Sequence, residues 1–152
     1  MDNYMDKFQT PEEFIRNEVL ANRGTQNIAD KSELVWMLES HPKAPDQDYS
    51  KLTKAELFDQ LVELEGEKAY TLFPAGVSSR CFQLKFGIEH KDVLKMAKAG
   101  FISVTGEYRF RKFGKYLYAK TYSPYDYFRL TAEEVHAWLR ANTRNPKAPA
   151  SN

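Results

Sequence analysis

The sequence predicts an α+β fold, mainly helical, and three observations carry that expectation. Capping boxes at Thr10–Glu13, Thr53–Glu56 and Thr131–Glu134 each stand ahead of an apolar run with helical spacing. Glycines 24, 66, 87 and 100 fall where such runs stop. After Gly100 the period changes, and aromatic residues alternate with basic ones from Tyr108 to Lys112.

The elements follow in order. Thr10-Pro11-Glu12-Glu13 opens a helix reaching about Asn22, with Phe14, Ile15 and Val19 on its apolar side. Asp30 or Ser32 caps a second short helix through Leu34, Val35, Trp36 and Leu38, which His41-Pro42 stops. His41 to Lys51 reads as a linker and the best domain boundary. A third helix carries Leu57, Leu61 and Leu64 at i, i+4, i+7 before Gly66. Ala69–Phe73 reads as a short strand and Pro74-Ala75-Gly76 as a turn. Ser78 or Ser79 caps a helix reaching Phe86, Gly87 breaks it, and another helix runs from about Glu89 to Ala99. Phe101–Thr105 reads as extended, Gly106-Glu107 as a turn, and Tyr108–Lys112 and Tyr116–Tyr122 as strands joined at Gly114. Pro124 ends the sheet, and Thr131 starts a last helix with Val135, Trp138 and Leu139.

Composition narrows the class. A hydrophobic fraction of 42% with 14% aromatics can fill the core of one domain, or one domain with an arm, in 152 residues. The single cysteine, Cys81, excludes an internal disulfide and reads as a small buried hydrophobe. No apolar run approaches a membrane span, and Asp2, Asp6, Glu12 and Glu13 are foreign to a secretory leader. The expectation is a soluble cytoplasmic protein.

The net charge of +1 is an average of opposites. Residues 1–78 hold 8 basic and 15 acidic residues, a net −7, whereas residues 79–120 hold 10 basic and 3 acidic, a net +7. Such asymmetry points to a polyanionic partner for the basic stretch. The acidic first half reads as a dimerisation arm, a docking surface for another protein, or an anionic segment competing for the basic face.

From Thr53 to Tyr122 the order is helix, short strand, helix, tight turn, helix, hairpin. Phe82 and Phe86 precede Gly87, Ile88 follows it, and Val93 and Met96 take the later apolar positions. This pattern resembles the winged helix-turn-helix DNA-binding superfamily. Gln83 departs from it, standing where the superfamily favours a small residue, which implies a looser helix crossing. The resemblance implies a mainly helical winged helix-turn-helix with a two- to three-stranded antiparallel hairpin, an N-terminal helical arm and a C-terminal helix. On that basis residues 1–50 are an acidic arm and linker, 51–142 the winged domain with its C-terminal helix, and 143–152 a disordered tail.

The helix at 89–99 has the two faces that a recognition helix needs. At 100° per residue Lys91, Lys95 and Lys98 fall within roughly 60° of one another, opposite Val93, Met96 and Ala97. The resemblance places it in the major groove, where its lysines, Lys98 among them, would mainly meet phosphates and His90, Lys91 and Lys95 lie nearest base edges. An ordinary amphipathic surface helix would look the same. The stretch 107–116 is the wing: Arg109, Arg111, Lys112 and Lys115 surround Gly114, interleaved with Tyr108, Phe110, Phe113 and Tyr116. Alternation puts Arg109 and Arg111 on one face and Tyr108, Phe110 and Lys112 on the other. Tyr116, Tyr118 and Tyr122 share a strand face, for packing rather than base stacking.

No catalytic or metal motif stands out. His41, His90 and His136 are dispersed, Cys81 has no histidine near it in sequence, and Asp46 and Asp48 lack the rest of a calcium loop. The expectation is therefore a non-enzymatic double-stranded DNA-binding protein, without cofactor. It would be a transcriptional regulator or accessory factor of a phage or mobile element, with a homodimer or a protein partner engaged through the N-terminal arm. The alternative is a protein-interaction module using the acidic arm and the tyrosine-rich strand.

Overall fold

The computed structural model describes residues 2–142. The expected tail, 143–152, lies outside the described residues. Seven α-helices and one three-stranded antiparallel sheet make an α+β fold. The helices are α1 (Pro11–Leu20), α2 (Lys31–Glu39), α3 (Lys54–Glu65), α4 (Ser79–Phe86), α5 (His90–Lys98), α6 (Pro124–Arg129) and α7 (Ala132–Asn142). The strands are β1 (Val77–Ser78), β2 (Val104–Lys112) and β3 (Lys115–Tyr122), in the order β1-β3-β2. None of the described helices is long and apolar enough to cross a membrane.

The capping boxes do what their chemistry requires. Thr53 Oγ1 accepts from the Glu56 N–H at 3.1 Å while Glu56 Oε1 accepts from the Thr53 N–H at 2.9 Å. Thr131 and Glu134 repeat the exchange at 3.1 and 3.0 Å. At α1, Thr10 caps Glu13, but the Glu13 carboxylate reaches back to the Gln9 N–H instead. That helix ends at Leu20, two residues short of expectation, and Gly24 instead opens a 3-10 turn.

Three local readings are corrected. Ala69–Phe73 is no strand: Gly66–Leu72 forms a 3-10 helix, and Tyr70 and Phe73 pack on the Phe58 ring at 5.4 and 5.7 Å. Aromatic packing onto α3 outweighs the local extended preference, and the short strand forms later, at Val77–Ser78. Phe101 and Ile102 are not strand either, because Phe101 stacks on Trp138 at 4.9 Å and Ile102 is buried. Gly106-Glu107 is not a turn. The register jumps between Val104 and Gly106, so Thr105 is the extra residue of a β-bulge and β2 continues through it. Pro124 ends the sheet and also starts α6, with Ser123 as its N-cap accepting from the Asp126 N–H.

One buried cluster joins the whole molecule. Met5, Phe14, Ile15, Val19, Leu34 and Leu38 from the first fifty residues share it with Leu57, Phe82, Val93, Tyr122 and Val135. Asn3 fastens the N-terminal end, donating from Nδ2 to the Cys81 carbonyl at 3.2 Å and the Tyr127 hydroxyl at 2.8 Å. The stretch read as an arm thus folds into the common core. Close packing also governs the entry to β1: a Cβ on Gly76 would lie 2.2 Å from Thr105 Oγ1 and 2.3 Å from Thr121 Oγ1.

Candidate nucleic-acid interface

The two helices around Gly87 are set by local chemistry. Ser78 caps α4, and Gly87, at φ 64° and ψ 46°, takes the left-handed conformation that ends it. The N–H groups of Gly87 and Ile88 both donate to the Gln83 carbonyl, at 2.9 and 3.2 Å. Two residues later α5 begins, where Asp92 Oδ2 accepts from the Glu89 N–H at 2.9 Å. Phe82, Phe86, Val93 and Met96 are all buried, so the apolar face of α5 lies where the spacing put it.

Polar contacts then pin α5 to α4. His90 Nδ1 lies 2.7 Å from Ser79 Oγ, which also accepts from Gln83 Nε2 at 3.0 Å. Gln83, the residue that departs from the superfamily pattern, spends its amide within α4. His90 has one ring nitrogen committed to Ser79, which leaves only Nε2 for another partner. Lys91 and Lys98 are exposed and Lys95 is half-buried. Lys91 Nζ sits 3.6 Å from Glu89, with both side chains about three-quarters exposed, a contact worth little in water. Leu94 was missed in the sequence. It is 45% exposed and lies between Lys91 and Lys98 on the helix surface, an apolar group within a cationic face.

The hairpin β2–β3 is rooted in the core by Tyr122 and projects beyond its base. Every residue from 107 to 118 is exposed, on both faces of the ribbon. At 3.3 Å per residue, the six residues of β2 from Glu107 to the tip span about 20 Å. Arg109 pairs across with Tyr118 and Arg111 with Tyr116. Both guanidinium groups converge on one ring, with Cζ 4.6 Å (Arg109) and 5.2 Å (Arg111) from the Tyr116 centroid. Cation–π contacts of this kind are worth about 0.5–1 kcal/mol at exposed positions, enough to bias where the arginines point. Tyr116 is therefore a positioning group for the arginines, a role that parity alone could have flagged. Lys120, opposite Glu107, shares their face. The other face carries Tyr108, Phe110, Leu117, Lys112 and Lys115.

The tip is unusual. Lys112 pairs with Lys115, so the loop is the dipeptide Phe113-Gly114, with φ of 54° and 75°. Positive φ at both central residues is the signature of a two-residue hairpin turn that favours Asn-Gly or Gly-Gly. Phenylalanine in the left-handed region costs about 1 kcal/mol. Its ring gains little burial in return, since Phe113 is 90% exposed.

The structure brings Arg109 and Arg111 together on Tyr116, and Lys112 and Lys115 together by pairing. No hydrogen bond or ion pair joins either set to Lys91, Lys95 or Lys98 among the described residues. Beside the hairpin base lies a cleft of about 650 Å³, bounded by the 23–28 loop and Gly106–Arg109, with Met5, Phe14 and Cys81 in its apolar lining. Its mostly buried carboxylate, Glu18, is saturated by Arg23, Tyr4 and Asn17. Tyr4 is held above its ordinary pKa by burial and then by that carboxylate. No group of three or more His, Cys, Asp or Glu converges among the described residues. His41 and His136 are engaged with Glu65 and the Phe86 carbonyl, both at 2.6 Å. No family model, no curated protein and no solved structure matches this chain.

Proposed function

We propose that the chain is a winged helix-turn-helix protein that binds double-stranded DNA without catalysis, as a transcriptional regulator or accessory factor. The observation that carries this reading is the hairpin: a projecting two-stranded ribbon with Arg109 and Arg111 steered by Tyr116 and two lysines at its tip. The element order helix, β1, α4, Gly87, α5, hairpin, with strand order β1-β3-β2, supports the winged form. In this reading α5 presents Lys91, Leu94, Lys95 and Lys98 to the major groove, while the hairpin meets backbone or minor groove. Exposed cations on a seated helix and a free ribbon are what a phosphate surface requires, since neutralised phosphates release counterions. A gel shift with generic duplex tests it. Binding in the micromolar range that weakens steeply with salt is the expected result, and no shift at low salt would overturn the reading.

A second reading, a protein-contact module, is favoured by Trp36, which is 66% exposed on α2 with Glu33 and Glu39 one turn to either side. It predicts self-association or partner binding that Trp36→Ala abolishes, measured by sedimentation, in a protein that does not shift duplex.

A further inference from the structure

The tip of the hairpin holds a residue that neither folding nor charge accounts for. The turn at Phe113-Gly114 has positive φ at both positions, where asparagine or glycine would sit without strain. Phe113 accepts that strain and buries almost nothing, being 90% exposed, the highest value among the large hydrophobics of the described residues. Strain of this kind at an exposed tip points to a use for the side chain outside the fold. The ring is carried ahead of a cationic stem, with the Lys112 ammonium 5.5 Å from its centroid and Lys115, Arg111 and Arg109 behind it. A partner approaching along the hairpin therefore meets an apolar wedge first and positive charge immediately after.

We infer that Phe113 is a wedge that enters between adjacent base pairs of a DNA duplex and kinks it, while the flanking lysines and arginines grip the phosphates on either side. This deepens the DNA-binding reading and rests on it. The chemistry fits the partner: an apolar ring between partly unstacked bases is shielded from water, and the opening of the step is offset by contacts the bent duplex makes with the basic stem. Flexible pyrimidine–purine steps deform most readily, so the wedge would favour those over A-tracts even without hydrogen bonds to base edges. A second apolar pair, Tyr108 and Phe110, lies behind the tip on the face that carries Lys112 and Lys115, with ring centroids 5.9 Å apart.

The test is ligase-mediated circularisation of a duplex about 100 bp long, shorter than the persistence length and hence slow to close unless kinked. The full chain, at concentrations that saturate the duplex in a gel shift, is compared with Phe113→Asn and Phe113→Leu. Asparagine relieves the turn, so its folding is not in doubt, and leucine keeps an apolar wedge. The expected result is circle formation raised on the order of tenfold by the wild type, retained by Phe113→Leu and lost by Phe113→Asn despite a similar gel shift. A duplex that is bound but not circularised, or Phe113→Asn circularising as well as the wild type, overturns the wedge and leaves DNA binding standing. Failure of the wild type to shift the duplex overturns both. Phosphatidylserine vesicles form the last arm: Phe113-dependent vesicle binding in a protein that does not circularise DNA would assign the tip to a lipid surface and overturn the inference.

Discussion

If the α5 and hairpin cations contact phosphate, neutralising them must change the salt dependence of binding by a calculable amount. Consider Lys91→Gln, Lys98→Gln, Arg109→Gln and Arg111→Gln together. All four side chains are exposed, two on each element. Each phosphate contact contributes about 0.9 to the slope of log K against log salt, so the quadruple variant should lose about 3.6 of slope. At about 0.1 M salt, relative to about 1 M, that is a loss of about three and a half orders of magnitude in affinity. The folded state should barely register it. Lys91 has only the solvated Glu89 contact, while Arg109 and Arg111 lose their stacking on Tyr116, so the total cost is about 1 kcal/mol. Fluorescence anisotropy with a labelled duplex from about 50 to about 200 mM salt gives the slope, and thermal unfolding gives the stability. The two lysine changes and the two arginine changes should contribute additively, since no hydrogen bond or ion pair joins the two sets. A variant that binds with the wild-type slope would refute the assignment of these residues to a phosphate surface. A slope change produced by the lysines alone would remove the hairpin from it.

Three further outcomes follow from the fold. Phe113→Asn should stabilise the protein by about 1 kcal/mol, raising the melting temperature by roughly 2–4 °C, because it releases a left-handed phenylalanine; a lower melting temperature would contradict the strain. Gly76→Ala should destabilise by about 1–3 kcal/mol in urea unfolding, since its Cβ meets the hydrogen-bonded Thr105–Thr121 pair at 2.2–2.4 Å; an unchanged midpoint would mean that β1 is free to move. Tyr127 is raised to about 12, chiefly by burial, so the folded state holds its proton more tightly than the unfolded chain does. Its contribution is complete below pH 10 and is lost as pH rises through 12, about 3 kcal/mol in all, and Tyr127→Phe should remove that alkaline dependence.

Much of this was legible in the sequence because the relevant physics is local. Thr53 with Glu56, Thr131 with Glu134, and Ser78 before α4 announce helix starts through hydrogen bonds spanning three residues. The strand parity that separates Arg109 and Arg111 from Tyr108 and Phe110 is equally local. What could not be read depends on distant partners. Ala69–Phe73 is decided by the Phe58 ring, Phe101 by Trp138, and the Gly106 bulge by the alignment of β2 against β3. The tie of His90 Nδ1 to Ser79, eleven residues away, likewise depends on how α4 and α5 pack. The tip escaped for another reason: Gly114 marked the turn, but only the backbone angle reveals that Phe113 shares its left-handed conformation.

The placement of charge acquires a different meaning once the core is known. The acidic segment cannot be assayed by deletion, because removing residues 1–50 would strip Met5, Phe14, Ile15, Val19, Leu34, Leu38 and Tyr49 from the common core. At roughly 1.5–3 kcal/mol per buried side chain, that is as large as the whole stability of an ordinary domain. Its effect on binding has to be read through salt instead. The tip lies about 20 Å along β2 from Glu107, whereas charges are screened within about 8 Å at physiological ionic strength, so the tip acts free of the acidic first half. Near 0.01 M salt the screening length reaches about 30 Å, and the −7 of residues 1–78 then opposes the same phosphates that the hairpin attracts. Affinity should therefore rise steeply as salt falls toward about 0.05 M and flatten below about 0.02 M. Neutralising exposed acids such as Glu33 and Glu39 should restore the slope at the low-salt end while leaving it unchanged at physiological salt.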